Sequence, residues 1–241
     1  MYRMILPLAL LVGAMAVLSS TPSKAQEREP LQYGIQIEEF EFRRGDENEN
    51  IAAWNGDAFF GTDEIKIRLF SKAEYDTRAS KFENLENRLV VQTPVSTFFD
   101  VKAGARLDTP DGPDRWYGIV GVTGLAPQWF EIDADLFVSE SGDASARLDV
   151  EYELLLTNRL ILTPSADLNL AFSDDTEVGI KSGFTSVEVG LRLSYDVVDR
   201  LISPYVGLVY ERKLGNTADL IEAEGEDIES WSGAVGVKFV F

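Results

Sequence analysis

Apolar and polar residues alternate one by one along most of this chain. In the segment EIKIRLF (64–70), every second residue is apolar and the residues between are charged. The segments FFDVKAGARLD (98–108), FEIDADLFV (130–138), ARLDVEYELL (146–155) and VEVGLRLSYDV (187–197) repeat the pattern. A period of two is typical of a strand with one apolar and one polar face. No stretch after residue 30 shows the 3.6-residue period of a helix, so the pattern predicts an all-β fold.

The alternating segments predict twelve strands joined by two kinds of connection. Short turns alternate with longer polar loops along the chain. The short turns are at 61–63, 93–95, 125–128, 156–159 and 198–200. Short turns at one end, longer loops at the other and an even strand number are typical of a transmembrane β-barrel with periplasmic turns and extracellular loops. The predicted strands are 31–42, 51–60, 63–74, 82–93, 95–108, 115–125, 128–139, 144–156, 159–172, 184–197, 201–213 and 229–241.

A soluble β-sandwich or a lipocalin-like barrel would also alternate, with its apolar face inward. The length of the strands favours the membrane, because most of them exceed the five or six residues usual in sandwiches. The segment WSGAVGVKFVF (231–241) places Trp231 and Phe241 on one apolar face, ten residues apart. That separation is about 33 Å along a strand, or about 25 Å at a tilt of ~40°, which is the height of an outer-membrane apolar band. We therefore predict that Trp231 and Phe241 lie at the two membrane interfaces.

The first 25 residues predict a secretory signal peptide. Such signals have a basic start, then an apolar run, then small residues at the cleavage site. This chain begins with MYR, continues with an apolar run and has a cleavage-like site that ends at Ala25. Residues 26–241 then form the barrel, and the destination is the outer membrane of a Gram-negative cell. Without the signal the formal charge falls from −19 to −21, because Arg3 and Lys24 are removed. No basic cluster remains to bind nucleic acid.

Carboxylates on the polar faces are the candidate lumen residues. Glu131, Asp133 and Asp135 share one face of a predicted strand, and Asp149, Glu151 and Glu153 share the polar face of the next. The short connection between these strands predicts that they are antiparallel neighbours, so the two rows come close together. Two interpretations stay open. The rows attract cations into the lumen, or they balance lumen cations, for which the candidates are Arg106, Arg147, Arg159 and Arg192.

The residue inventory argues against an enzyme. The chain has no histidine and no cysteine, and its three methionines (Met1, Met4, Met15) lie in the predicted signal. A serine or carboxylate nucleophile generally needs a base such as histidine beside it. The glycines of GVTGLAP (121–127) resemble no phosphate-binding loop, since no helical pattern follows them. From the residues alone we predict a non-enzymatic protein, and they assign no cofactor.

Several longer segments resemble the copper resistance protein B family. They are WNGDAFFGTDEIKIRLFSKAEYD (54–76), STFFDVKAGARLD (96–108), residues 124–164 from GLAPQWFE to LILTP, VEVGLRLSYDV (187–197), SPYVGLVYERKLGNTAD (203–219) and GEDIES (225–230). The resemblance covers nearly all of residues 50–241. It implies an outer-membrane protein associated with copper tolerance, and copper as a bound ion is implied by this resemblance only.

The resemblance also shows a departure. Members of the family commonly carry a Met- and His-rich segment before the barrel that supplies copper ligands, and residues 26–30 (QEREP) contain neither. The expected function is copper or metal ion homeostasis or cation passage, with weak direct copper binding and an unassigned metal. The alternative is a structural or adhesive barrel with a closed lumen. The expected partners are outer-membrane lipid, the barrel assembly machinery and a periplasmic copper-handling protein that would supply the soft ligands.

Overall fold

A computed structural model describes residues 30–45, 50–109, 114–175, 177–198 and 200–241. The predicted signal peptide (1–25) lies outside the described residues. No helix in the described part of the chain combines the length and the hydropathy that a helical membrane crossing requires.

The described strands form one closed antiparallel sheet. With one exception, described below, each strand pairs with its neighbours in chain order, and the last strand pairs with the first. The strands are β1 (Gln32–Gly45), β2 (Asn50–Gly61), β3 (Lys66–Asp76), β4 (Lys81–Pro94), β5 (Phe99–Asp108), β6 (Arg115–Ala126), β7 (Phe130–Ser139), β8 (Ala144–Glu151), β9 (Leu154–Leu155), β10 (Leu160–Ala171), β11 (Gly183–Tyr195), β12 (Ile202–Lys213) and β13 (Glu229–Val240).

The strands β8 and β9 are two pieces of one segment that crosses the barrel wall, and we call each such segment a stave. Both pair with β10, and the break falls at Tyr152 and Glu153. Tyr152 donates its backbone N–H to the carbonyl of Pro164, which has no N–H to donate in return. Proline thus interrupts the ladder. Counted by staves, the barrel has twelve strands, as the alternation predicts.

Each predicted strand corresponds to one stave, with ends that agree within four residues. Tight turns, including a 3-10 turn at Pro127–Trp129, form one rim, which we call the short-turn rim. The longer connections form the opposite, long-loop rim. This division confirms the predicted barrel class.

One element contradicts the prediction that the chain has no helix. The connection between β12 and β13 contains α1 (Gly215–Glu224). Thr217 is buried, and Ile221, one turn later, lines the same cavity. Because Thr217 is polar, this inward face shows no apolar period in the sequence.

The two faces of the wall differ sharply. Apolar side chains point outward and stay exposed, as in Val206 (56 %) and Val235 (65 %), while charged side chains such as Glu41, Glu86 and Asp135 are buried inside. Most exposed aromatic residues of the described chain gather at the two rims. They are Tyr33, Phe60, Phe98, Trp129, Tyr195 and Phe241 at the short-turn rim, and Phe42, Trp116, Phe172, Phe184 and Trp231 at the long-loop rim. Two such girdles around an apolar band mark the faces of a bilayer.

A small apolar core lies inside the barrel. Val90, Ile119 and Phe137 are buried together, and Phe70 and Tyr117 pack against them. The lumen near these residues is filled by side chains, as is usual in narrow barrels.

Candidate functional site

The predicted carboxylate rows lie on neighbouring strands, β7 and β8. The register places Glu131 opposite Glu151 and Asp133 opposite Asp149, and it places Asp135 opposite Arg147. Four of the carboxylates, Glu131, Asp133, Asp149 and Glu151, line one lumen cavity. Like charges directly opposite destabilise a sheet unless cations compensate them.

Ion pairing separates these carboxylates into two kinds. Asp135 lies 2.8 Å from Arg88 and 3.0 Å from Lys102, which also contacts Asp133. Within the described residues, Glu131 and Asp149 have no ion pair. The first kind is neutralised by fixed cations, whereas the second has no such partner in the described part of the chain.

Glu151 and Glu153 lie toward the short-turn rim. The Lys238 ammonium is 4.0 Å from Glu151 and 3.5 Å from Glu153. Glu153 lies at the break between β8 and β9 and also contacts Arg200 at 3.1 Å. It is therefore a rim residue rather than part of the lumen rows.

The predicted basic residues occupy three different places. Arg106 and Arg147 meet at Glu86, and Arg192 meets Glu41 on the opposite wall. Arg159 was expected in the lumen, and this expectation is wrong. It is exposed in the turn after β9, because the stave ends before it and the chain reverses there.

Glu86 is the most heavily compensated carboxylate of the lumen. Arg147 binds it with two 3.0 Å hydrogen bonds, Arg106 lies at 2.9 Å, and Arg88 lies at 3.1 Å. The guanidinium groups of Arg106 and Arg147 also stack on the Phe137 ring, at 4.6 and 5.6 Å. Bidentate pairing and stacking hold these groups in fixed positions.

Glu41 organises the facing wall in a similar way. Arg192 contacts both of its carboxylate oxygens at 3.0 and 3.1 Å, and Arg43 lies at 2.6 Å. The Tyr205 hydroxyl donates a 2.8 Å hydrogen bond to the same carboxylate. Two charge clusters, centred on Glu86 and Glu41, thus brace the lumen from two sides.

The register also creates an acidic row that strand patterns alone do not reveal. Five carboxylates stand opposite one another on consecutive staves: Asp133 on β7, Asp149 on β8, Asp167 on β10, Glu188 on β11 and Glu211 on β12. Cross-strand partners are typically ~5 Å apart. Because strands in a barrel are tilted, such a row climbs along the lumen wall from one half to the other. We call these five residues the acidic row.

Two adjoining cavities of about 340 Å³ each follow the acidic row. The short-turn cavity is lined by nine acidic and four basic residues, and the long-loop cavity by five acidic and three basic residues. Both are therefore acidic by formal charge. The residues that line both are Lys72, Arg147, Asp167 and Glu188.

A β-bulge in β1 adds to the acidity of the short-turn cavity. The pairing of β1 with β2 slips between Ile37 and Glu39, so Glu38 and Glu39 both line the cavity although they are consecutive. Bulges re-aim side chains in this way. Glu39 pairs with Arg192 at 2.9 Å, while Glu38 accepts a hydrogen bond from Gln36.

At the long-loop rim, described residues of the β10–β11 connection and α1 lie over a third cavity of about 350 Å³. Thr217 of α1 accepts a hydrogen bond from the backbone N–H of Lys181. Asp174 accepts hydrogen bonds from the backbone N–H of Ser182 and from the Lys181 ammonium. These bonds lower the pKa of Asp174 to about 2.

The donor set of the lumen suits weakly held, hard cations. In the parts of the chain that the structure describes, no three Asp or Glu side chains converge closely enough to hold a metal ion. Carboxylate oxygens suit ions such as Ca²⁺ and Mg²⁺, whereas Cu(I) prefers sulfur ligands and Cu(II) favours imidazole.

The closed sheet, its apolar outer wall and its two aromatic girdles define an integral outer-membrane β-barrel. Comparison with known proteins gives the family. The family model described as copper resistance protein B precursor (CopB) matches residues 31–241. The chain belongs to this family, and it is an outer-membrane protein.

Two curated relatives agree with this assignment. Copper resistance protein B of Escherichia coli is 36 % identical over 81 % of this chain, and its homolog in Pseudomonas syringae pv. tomato is 34 % identical over 78 %. The matches cover 65 % and 63 % of those relatives, so this chain spans a little under two thirds of their length. A solved structure of the NanC porin superposes with a TM-score of 0.52 at 13 % identity, covering 86 % of this chain and 99 % of the porin. At that identity it shows the shared fold alone.

Proposed function

We propose that this copper-resistance barrel takes part in metal ion homeostasis by offering small cations an acid-lined path through the outer membrane. The acidic row supports the proposal. Its five carboxylates follow the lumen wall through both acidic cavities, so a cation that leaves one carboxylate finds the next at ~5 Å. Conduction needs sites that attract an ion and release it again. Asp149 has no ion pair within the described residues, and the other four carboxylates contact Lys102, Lys72, Arg43 and Lys213. The row therefore attracts cations without enclosing them.

The path favours cations without selecting copper. Residues 26–241 contain no His, Met or Cys, so soft ligands for Cu(I) have to come from another molecule. In this proposal a periplasmic copper-handling protein supplies them at the short-turn rim. Outer-membrane lipid and the barrel assembly machinery are the other partners.

The proposed role is not enzymatic. The lumen carboxylates are either held by guanidinium groups, as at Glu86 and Glu41, or spread along a wall. Without histidine or cysteine, the chain lacks the usual base and nucleophile of acyl or phosphoryl transfer.

A closed structural barrel is the second candidate. The Glu86 and Glu41 clusters and the Phe137 core place large side chains inside the lumen. If these side chains keep their positions, the lumen stays blocked. The two cavities then hold water and ions but do not connect the two sides of the membrane.

Planar bilayers distinguish the two candidates. We expect the wild-type protein to conduct and its reversal potential in a KCl gradient to show cation preference. Glu131→Gln combined with Glu188→Gln removes two charges that line the short-turn cavity, one of them in the acidic row. Little pairing is lost, since Glu131 has no ion pair within the described residues and Arg43 keeps Glu39, Glu41 and Glu74. At about 1 kcal/mol of local potential per removed charge, cation preference should fall by about fivefold for each charge.

The matched control is Asp219→Asn combined with Glu222→Gln, which removes the same two charges from the exposed side of α1. It should keep the wild-type cation preference. A correctly assembled barrel that never conducts would contradict the proposed passage and favour the closed structural barrel. Equal loss in both double variants would show that total charge, rather than the acidic row, sets the preference.

A further inference from the structure

A groove on the outer wall of the barrel is distinct from the lumen and from the proposed cation path. Its volume is about 910 Å³. Two adjacent cross-strand rows form it, and both run from β4 toward β11. One row is Val91, Ala103, Val120, Leu136, Ala146, Leu170 and Phe184, and the other is Thr93, Val101, Val122, Ala134, Leu148 and Leu168.

Alanines form the floor of the groove, and larger side chains form its sides. Ala103, Ala134 and Ala146 alternate with Val, Leu and Phe residues along the two rows. The larger side chains are exposed, with Val120 at 56 % and Leu136 at 51 %. The depression therefore lies on the surface that faces the membrane.

The inner side of the wall is closely packed behind the floor. Gly121 faces the lumen between Lys102 and Asp135, and a Cβ atom built there would lie 2.0 Å from an Asp135 carboxylate oxygen. The missing side chain lets the Lys102–Asp135 ion pair close directly against the backbone. This ion pair packs against the inner side of the wall behind the alanine floor.

The groove crosses the apolar band along its length. It spans seven staves, or six interstrand spacings of ~4.8 Å, which gives about 29 Å. Its lower end, at Val91 and Thr93, is close to the short-turn rim, and its upper end, at Phe184, is close to the long-loop girdle. Water is absent at this depth, so hydrocarbon is the medium that fills it.

We infer that the groove binds one acyl chain of a phospholipid whose headgroup lies at the short-turn rim. A chain between the larger side chains of the two rows makes more van der Waals contact than a chain on the convex wall, and such packing drives association inside membranes. The charged residues beside the floor, Lys102, Asp135 and Arg147, are ion-paired in the lumen and unavailable outside. The groove thus lacks the basic outer side chains that a phosphorylated, many-chained glycolipid would need.

Photocrosslinking in vesicles tests the inference. The wild-type protein is reconstituted into phosphatidylethanolamine–phosphatidylglycerol vesicles that contain a trace of phosphatidylethanolamine with a diazirine in mid-chain. Mass spectrometry then maps the labelled positions. We expect labelling of β5–β8 to exceed labelling of the remaining wall by about tenfold, the effect of about 1.4 kcal/mol of preferential packing.

Two variants on the outer wall provide the comparison. Ala134→Leu fills the floor and should reduce labelling of β5–β8 to the average of the wall. Ala105→Leu adds the same volume to an exposed outward position outside the groove, and it should leave the labelling unchanged. A folded barrel migrates differently on gels when it is not heated. If Ala134→Leu lacks this shift, Ala103→Val, which adds a smaller side chain to the floor, replaces it.

Three results would overturn the inference. They are uniform labelling around the wild-type wall, displacement of the probe by lipid A at equal concentration, and crosslinks between two copies of the chain across this face. None of them depends on whether the lumen conducts.

Discussion

Two glutamates inside this barrel, Glu86 and Glu131, have the same chemistry and opposite surroundings. Glu86 is 1 % exposed and lies within ion-pair distance of three guanidinium groups. Glu131 lines the short-turn cavity and has no ion pair within the described residues. Fixed cations therefore balance Glu86, whereas Glu131 has no fixed partner among the described residues.

The first prediction compares these two residues. Glu86→Gln removes the negative charge that compensates three buried guanidinium groups. Breaking a buried ion pair in this way lowers the free energy of unfolding by about 3–5 kcal/mol. Glu131→Gln removes an unpaired charge and should change stability by less than about 0.5 kcal/mol. Urea unfolding, followed by the loss of the gel shift of the unheated protein, measures both. Equal midpoints would show that the Glu86 cluster is not a structural unit.

The second prediction concerns pH at the long-loop rim. The pKa of Asp174 is lowered to about 2, below the ~3.9 of an unfolded aspartate, so its hydrogen bond to Ser182 is fully present above pH ~4 and is lost as pH falls through about 2. We expect the protection factor of the Ser182 amide to stay constant from pH 7 to 4 and to fall below pH 3. In Asp174→Asn it should be lower throughout and independent of pH. A wild-type fall between pH 5 and 4 would contradict the hydrogen-bonded carboxylate.

At the scale of the element, β13 and β7 use phenylalanine in different ways. Phe241 follows β13, is 69 % exposed at the short-turn girdle, and exchanges backbone hydrogen bonds with Ile35 of β1. Phe137 of β7 is 2 % exposed and supports two guanidinium groups inside the barrel. One residue therefore lies at the closing seam and the other in the packed lumen.

The third prediction follows from this difference. Phe241→Ser should reduce the amount of barrel assembled in the outer membrane, while the assembled fraction keeps its stability. Phe137→Ser should assemble but lose about 3–5 kcal/mol, as expected for removal of a buried aromatic ring. Membrane fractionation and urea unfolding separate the two effects. The assignment of faces would be wrong if Phe241→Ser lowered stability and Phe137→Ser lowered assembly.

Elements were predicted well from the sequence because their signals are local. Alternation within each strand places Asp133, Asp149 and Arg147 on polar faces, and the structure brings all three to the lumen. The acidic row was missed, since its members meet through the stagger of five staves, which no single strand encodes. The Ile37–Glu39 bulge was missed for a similar reason: one extra residue changes which of two adjacent glutamates faces inward.

At the scale of the whole molecule, the ligand inventory and the family name lead to a fourth prediction. Purified protein covering residues 26–241 should bind Cu(I) no better than a carboxylate-matched control, because it has no His, Met or Cys. Cu(II) should bind weakly and be displaced by excess Ca²⁺, which prefers the same oxygen ligands. Competition with a chromophoric chelator measures both. A Cu(I) dissociation constant below about 1 μM would contradict the prediction.

The acidic row has a consequence for how this chain tolerates insertions. The members of the row are cross-strand partners rather than neighbours in sequence. The row is therefore continuous only while the register between neighbouring staves is kept. Two extra residues in the middle of β10 would preserve the alternation and leave every side chain on its proper face. They would nevertheless displace part of the row by about 7 Å along the strand. The sheet and its two faces would stay intact, but the carboxylates on either side of the insertion would no longer be neighbours.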